Sequence, residues 1–346
     1  MQEMINVFKE ELQLCCIGPG QKLAVLSEGE ILKDYSEAFL RAGDELGAET
    51  TRVNVAAAGN AGAEARLEDL GESALTKDRV AMETLKDADM VVDLMLLLFS
   101  KEQLEIQAAN TRILLAVEPF EILKRLRPSK DMRRRVEAGE KRVQNAKTLR
   151  FTNRVGTDLR YELKTLNGPP PSCVLTEYGY TDTPGRWDHW PSGFLASMGT
   201  DTGVEGRVVM DKDDIVLPWK EKLTGSIDLS ISEGYVTDIK GGEDAKRLRN
   251  YMEGYEDPRA YAVSHIGWGL NEEALWDVDM PGICMDGRAY YGNVLFSTGP
   301  NTEFGGDNDT KCHLDLPMKD CSLWLDDELI VQDGQVVPDD MRAPGR

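Results

Sequence analysis

Histidine is scarce in this chain: 3 in 346 residues, namely His189, His265 and His313. Any imidazole chemistry must come from those three. Long apolar runs are missing too. The longest, from Met90 to Phe99, is broken by Asp93. It is well short of the roughly 20 residues that a spanning helix needs, so no membrane is expected. The amino terminus shows no basic stretch followed by an apolar one, which sets a cytoplasmic protein as the expectation. Positive charge is in deficit, 40 Lys+Arg against 61 Asp+Glu, a balance of −21. A field of that sign repels polyphosphate, so nucleic acid and anionic membrane are not expected partners. The six cysteines include no C-x-x-C pair, and they read as reduced, mostly buried thiols. No G-x-G-x-x-G follows a strand, and Gly18-Pro19-Gly20 lies on the wrong side of its strand for a phosphate loop. A dinucleotide is therefore not expected.

The length suits two domains. Positions 1–148 alternate helical and continuously apolar stretches. Strands are expected at 22–27, 50–55, 90–96 and 112–118, with helices between them. That pattern predicts an α/β, Rossmann-like domain whose parallel sheet is covered on both faces. Positions 149–346 change texture, with short alternating runs and turn residues such as Glu233-Gly234 and Asp333-Gly334. They predict an α+β metal-binding domain with a mixed or antiparallel sheet. The turn Asn167–Ser172 belongs to the same half.

Within Lys311-Cys-His-Leu-Asp-Leu-Pro317, a strand would place His313 and Asp315 on one face and Leu314 on the other. His265 lies in a second apolar, strand-like run, positions 261–269. Two imidazoles and one carboxylate on one side of an octahedral metal leave three positions open, an arrangement typical of non-haem Fe(II) oxygenases; zinc is the alternative metal. An ordinary half-exposed strand pair explains H-x-D equally well. Cys312 would point away from His313, which favours packing over ligation.

Positions 176–193 crowd Glu177, Trp187, His189, Trp190 and two tyrosines into what reads as one loop, a composition suited to lining a pocket or capping a core. His189 and Glu177 are the candidate proton-transfer groups. In Ser297-Thr-Gly-Pro-Asn301, the hydroxyls and amides either hold a small polar ligand or make the turn.

Several blocks together resemble the 2,5-dihydroxypyridine 5,6-dioxygenase family: Thr176-Glu-Tyr-Gly-Tyr180, Pro184-Gly-Arg-Trp-Asp-His-Trp-Pro-Ser-Gly-Phe194, Ser264-His-Ile-Gly-Trp-Gly-Leu270, Leu295-Phe-Ser-Thr-Gly-Pro-Asn-Thr-Glu303, Cys312-His-Leu-Asp-Leu-Pro317 and Leu114-Leu-Ala-Val-Glu-Pro119. A more distant likeness links the chain to aminopeptidase T-like metallopeptidases. The resemblance implies Fe(II) on His265, His313 and Asp315. It implies O2 and a hydroxylated pyridine as substrates, and opening of the C5–C6 bond to N-formylmaleamate. Glu177 and His189 then fall near the substrate. Ser297 is a candidate hydrogen-bonding group, and Trp187 and Asn301 are candidate substrate contacts. Two positions depart from the family's pattern, Phe99 after Met95-Leu-Leu-Leu98, where relatives carry His, and Ser192. Either would alter ring substituents or the proton route if it lines the pocket. A homo-oligomer is expected. The rival readings are a Zn or Co metallo-hydrolase and a non-catalytic protein that binds a small aromatic.

Overall fold

The structure is a computed structural model, and it describes residues 1–56, 74–98, 100–163, 173–279 and 282–346. Phe99, the turn 167–172 and most of the Ala/Gly-rich stretch after residue 55 lie outside the described residues. In chain order, the amino-terminal elements are α1 (Gln2–Leu14), β1 (Lys22–Glu28), α2 (Lys33–Glu45), β2 (Glu49–Val55), α3 (Arg79–Lys86), β3 (Met90–Asp93), α4 (Lys101–Ala108), β4 (Arg112–Leu115), α5 (Phe120–Arg125) and α6 (Lys130–Asn145). Then follow β5 (Thr148–Thr152), β6 (Asp158–Leu163), β7 (Val174–Glu177), β8 (Trp187–His189), β9 (Phe194–Met210), β10 (Ile215–Val216), β11 (Glu221–Lys222), β12 (Ile227–Ser232) and β13 (Tyr235–Gly241). The chain ends with α7 (Glu243–Glu253), β14 (Val263–Gly269), α8 (Met285–Ala289), β15 (Val294–Thr298), β16 (Leu314–Met318), β17 (Ser322–Leu325), β18 (Glu328–Gln332) and β19 (Gln335–Val336). No helix among the described residues is long and apolar enough to cross a membrane.

The residues gather into two compact units. One comprises Met1–Ser129 and Tyr178–Ser192, the other Lys130–Glu177 and Gly193–Arg346. The division thus falls at 129–130, where the sequence suggested 148–149. Helix α6 belongs to the second unit. The aromatic stretch 178–192 returns to the first, and it takes His189 with it.

The first unit is built on a parallel sheet in the order β2-β1-β3-β4-β8. β3 and β4 are buried at every position; Met90–Val92 and Ile113–Leu115 are their apolar runs, with Asp93 and Arg112 at one end of each. β3 stops at Asp93, three residues earlier than its apolar run suggests. The Asp93 carboxylate accepts the backbone N–H groups of Met95 and Leu97 at 2.7 and 2.8 Å, which turns the chain out of the sheet. Burial raises that carboxyl's pKa to about 6 against those same hydrogen bonds. Helix α1 turns Ile5, Phe8 and Leu12 to the core, where Phe8 stacks on Phe39 at 3.9 Å. β8 pairs with β4 through Trp187–His189 and makes a strand where a loop was expected. Buried Asp188 fixes it, accepting from the backbone N–H of Gly179 and His189 and pairing with Arg186 at 2.6 Å.

The second unit is a large antiparallel sheet in which the 17-residue β9 is the spine. Its first half pairs with β7 and β14, and its second half with β6 and β12. The alternating residues that follow α6 form a hairpin of β5 and β6. At one edge lie β14, β15 and β16, side by side and buried at every position. Gly299 ends β15 at φ +108°; a Cβ there would lie 2.0 Å from the Cys312 carbonyl, so only glycine lets this turn pack against the segment leading to His313.

Candidate metal centre

The pairing of these three edge strands decides which side chains meet. Ser297 of β15 stands opposite Asp315 of β16. On its other side, β15 meets an irregularity in β14: Val263 pairs with Thr298 and Ile266 with Phe296, so Ser264 and His265 together face Ser297. This is a β-bulge, which re-aims the side chains of the bulged strand. His313 directly precedes β16. All of these residues are buried.

The two imidazoles converge on one oxygen. His265 Nε2 and His313 Nε2 each lie 3.3 Å from Asp315 Oδ1, and the rings stand 5.9 Å apart at 26°. His265 Nε2 and Asp315 Oδ1, close as they are, make no hydrogen bond of acceptable geometry. The Phe304 ring stacks on the other side of His265 at 5.2 Å. Burial lowers the His265 pKa against the opposing pull of Asp315, which keeps the imidazole neutral with a free lone pair. Burial pushes the Asp315 carboxyl up, but His313 foremost holds it well below the usual carboxylate range. Neutral imidazole and ionised carboxylate are the forms that bind metals.

Among the described residues, no three His, Cys, Asp or Glu side chains enclose a ready-made coordination sphere. The donor chemistry nonetheless fits a metal. Ligand atoms held at about 2.0–2.3 Å from one ion stand about 3.0–3.4 Å apart, which matches the two 3.3 Å separations. Two buried donors without hydrogen bonds, facing each other, are also costly unless something binds them.

Around this trio lies an ion pair that the sequence did not disclose. Arg288 of α8 grips Glu177 of β7 with both Nη atoms, at 2.7 and 3.0 Å, while its Nε lies 4.0 Å from Asp315 Oδ2. Its guanidinium lies 4.5 Å from the centroid of the Phe194 ring. The sequence signal was Arg288 and Asp286 set among small and apolar residues. Ser297 Oγ is fully buried and has no hydrogen-bond partner. Asn301, by contrast, uses its side-chain oxygen on the backbone N–H of Asn308. His189 and Trp187 share a face of β8 in the first unit, their rings 6.0 Å apart, and the Trp187 indole N–H is buried without an acceptor. Ser192 is buried at the end of that unit.

Three comparisons bear on this arrangement. The profile of the NicX family, 2,5-dihydroxypyridine 5,6-dioxygenase, matches residues 3–338. The 2,5-dihydroxypyridine 5,6-dioxygenase of Pseudomonas putida KT2440 is 42% identical over 99% of this chain and 98% of its own. A solved structure of the Pseudomonas putida KT2440 dioxygenase superposes with a TM-score of 0.91 over 98% of each chain. AmpT from Thermus thermophilus, 14% identical with a TM-score of 0.59 over 97% of this chain and 99% of its own, shares the fold alone. With a profile match over nearly its whole length and a full-length relative this similar, the chain belongs to the 2,5-dihydroxypyridine 5,6-dioxygenase family.

Proposed function

We propose that this chain is an Fe(II)-dependent ring-cleaving dioxygenase that opens the C5–C6 bond of 2,5-dihydroxypyridine with O2 to give N-formylmaleamate. The observation that carries the proposal is the convergence of His265 and His313 on Asp315 Oδ1 in a chain of this family. His265, His313 and Asp315 would hold the metal through two neutral nitrogens and one anionic oxygen. When bound, iron supplies the one-electron chemistry that lets triplet O2 react with a closed-shell ring.

The chain's own residues do the rest. The buried setting keeps water away from the reacting ring, which strengthens every polar contact made there. Ser297 Oγ, buried without a partner between the His265 and Asp315 strands, offers a hydrogen bond to a ring hydroxyl or ring nitrogen. The 5-hydroxyl must lose a proton. Glu177 is ion-paired with Arg288, which compensates its charge. An imidazole exchanges protons readily near neutrality, so His189 is the first candidate for the base and Glu177 the second. Trp187 and Asn301 are proposed substrate contacts of lesser weight. A cytoplasmic homo-oligomer completes the proposal, with its size to be read by light scattering.

The test uses protein prepared anaerobically. Added Fe(II) should bind at one ion per chain, and dihydroxypyridine absorbance should then fall with uptake of one O2 per ring. His313→Ala should lose both. Retention of iron at full stoichiometry in that variant removes His313 from the ligand set. Turnover without O2 uptake overturns the oxygenase reading in favour of a hydrolase.

A further inference from the structure

We infer that Ser264 is a positioning residue that fixes His265 in the Nδ1–H tautomer, so that the Nε2 lone pair faces Asp315. The inference rests on the proposal that His265 is a metal ligand, but it stands on its own hydrogen-bond arithmetic. Ser264 Oγ lies 2.5 Å from the Pro300 carbonyl oxygen and 3.1 Å from His265 Nδ1. A carbonyl oxygen can only accept, and a serine hydroxyl has one proton to give. That proton therefore goes to Pro300. Toward His265, Ser264 Oγ can then only accept, and Nδ1 must be the protonated nitrogen. Nε2 is left with its lone pair, 3.3 Å from Asp315 Oδ1 and without a hydrogen bond. The opposite tautomer would leave two acceptors facing each other at Nδ1, in a site from which water is excluded.

The local fold makes this contact possible. On a regular strand, adjacent residues point to opposite faces. The bulge in β14 sets Ser264 and His265 jointly against Ser297 and brings the hydroxyl beside its neighbour's ring. The backbone at Ser264 is pinned as well, because its carbonyl accepts the Tyr161 hydroxyl at 2.9 Å. Pro300 has no N–H and follows the Gly299 turn, so its carbonyl is held where the hydroxyl needs it.

The decisive measurement is made on the metal-free wild-type protein. With histidine labelled by 15N and only three histidines in the chain, long-range proton–nitrogen spectra assign each ring once His189 and His313 variants are compared. The expected result is a protonated Nδ1 and a bare Nε2 at His265. A protonated Nε2 overturns the inference, whatever the metal does. The second arm titrates Fe(II), with Mn(II) as an air-stable probe, into Ser264→Ala and Ser264→Thr. Loss of an outer hydrogen bond of this kind costs about 10–100-fold in metal affinity. Ser264→Ala should weaken binding by that factor with a mixture of His265 tautomers, and Ser264→Thr, which keeps the hydroxyl, should recover most of it. Unchanged affinity and an unchanged tautomer in Ser264→Ala refute the positioning role. If His265→Ala still binds metal at wild-type affinity while the tautomer is as expected, the ligand assignment fails and the hydrogen-bond inference survives.

Discussion

Replacing Arg288 by Met keeps an aliphatic stem but removes the guanidinium, and with it both the contact over the Phe194 ring and the charge that Glu177 faces. Two nitrogen–oxygen contacts hold the pair, an ion-pair contact at 2.7 Å and a hydrogen bond at 3.0 Å, and its side chains are only 7% and 2% exposed, so solvent screens it little. Breaking a buried pair from one side leaves an uncompensated charge and costs about 3–5 kcal/mol. Arg288→Met and Glu177→Gln should each lose stability on that scale. The double variant leaves neither partner of this pair charged, although Asp315 loses its neighbouring cation in both Arg288 variants alike, so its loss should fall short of the sum by about 1.5–3 kcal/mol. The assay is urea denaturation of the metal-free protein at pH 7, followed by circular dichroism and by tryptophan fluorescence. Coincident transitions license a single free energy in a chain with two compact units. Strict additivity, with a coupling below about 0.5 kcal/mol, would show that the pair contributes nothing beyond its separate contacts. Arg288 would then owe its position to Phe194 and Asp315 instead.

Ser297→Ala removes a hydroxyl that has no partner in the protein, so the variant should fold with unchanged or slightly higher stability while KM for the dihydroxypyridine rises several-fold. A clear loss of stability with an unchanged KM sinks the substrate-contact role. Asp93 has a folded pKa of about 6, above its unfolded value near 3.9, so the folded state binds more protons between those limits. Stability should therefore fall by about 2 kcal/mol for this group as pH rises from 4 to 6, out of about 3 kcal/mol over the whole range from pH 2 to 8. Asp93→Asn should lack that slope, and identical pH profiles for the two proteins would refute it. Saturating metal should raise the unfolding free energy by about 2.7 kcal/mol at a hundredfold excess over Kd, and His313→Ala should lose the increment. An equal gain in that variant would place the metal elsewhere.

The parallel sheet was legible because its central strands carry uninterrupted apolar runs, as Leu23–Leu26 and Ile113–Leu115 show. β8 was not legible. Three residues with an aspartate at the centre carry no strand signal, and only pairing with the distant β4, together with the hydrogen bonds to Asp188, makes them one. The H-x-D spacing and the rarity of histidine pointed to His313, Asp315 and His265. Arg288 escaped because its meaning lies in Glu177, 111 positions away in the sequence, and no local pattern records that distance.

The β14–β16 edge has an unusual composition for its burial. Ser264, His265, Ser297, Thr298, His313 and Asp315 all sit within it at no more than 3% exposure. His265 Nε2, Ser297 Oγ, Thr298 Oγ1 and Asp315 Oδ1 there lack hydrogen-bond partners. Each such buried atom costs about 1–3 kcal/mol, and valine or leucine at the same positions would fold the edge more stably. A fold that tolerates several of them side by side is giving up stability at one place, and the groups it leaves unsatisfied are nitrogen and oxygen donors. Hydrophobic packing alone would also favour a regular β14, with Ser264 and His265 on opposite faces. The bulge, the unpartnered donors and the glycine turn at Gly299 each depart from the most stable choice. All three departures bear on the position of His265 relative to Asp315, which is where a site built for binding would incur its cost.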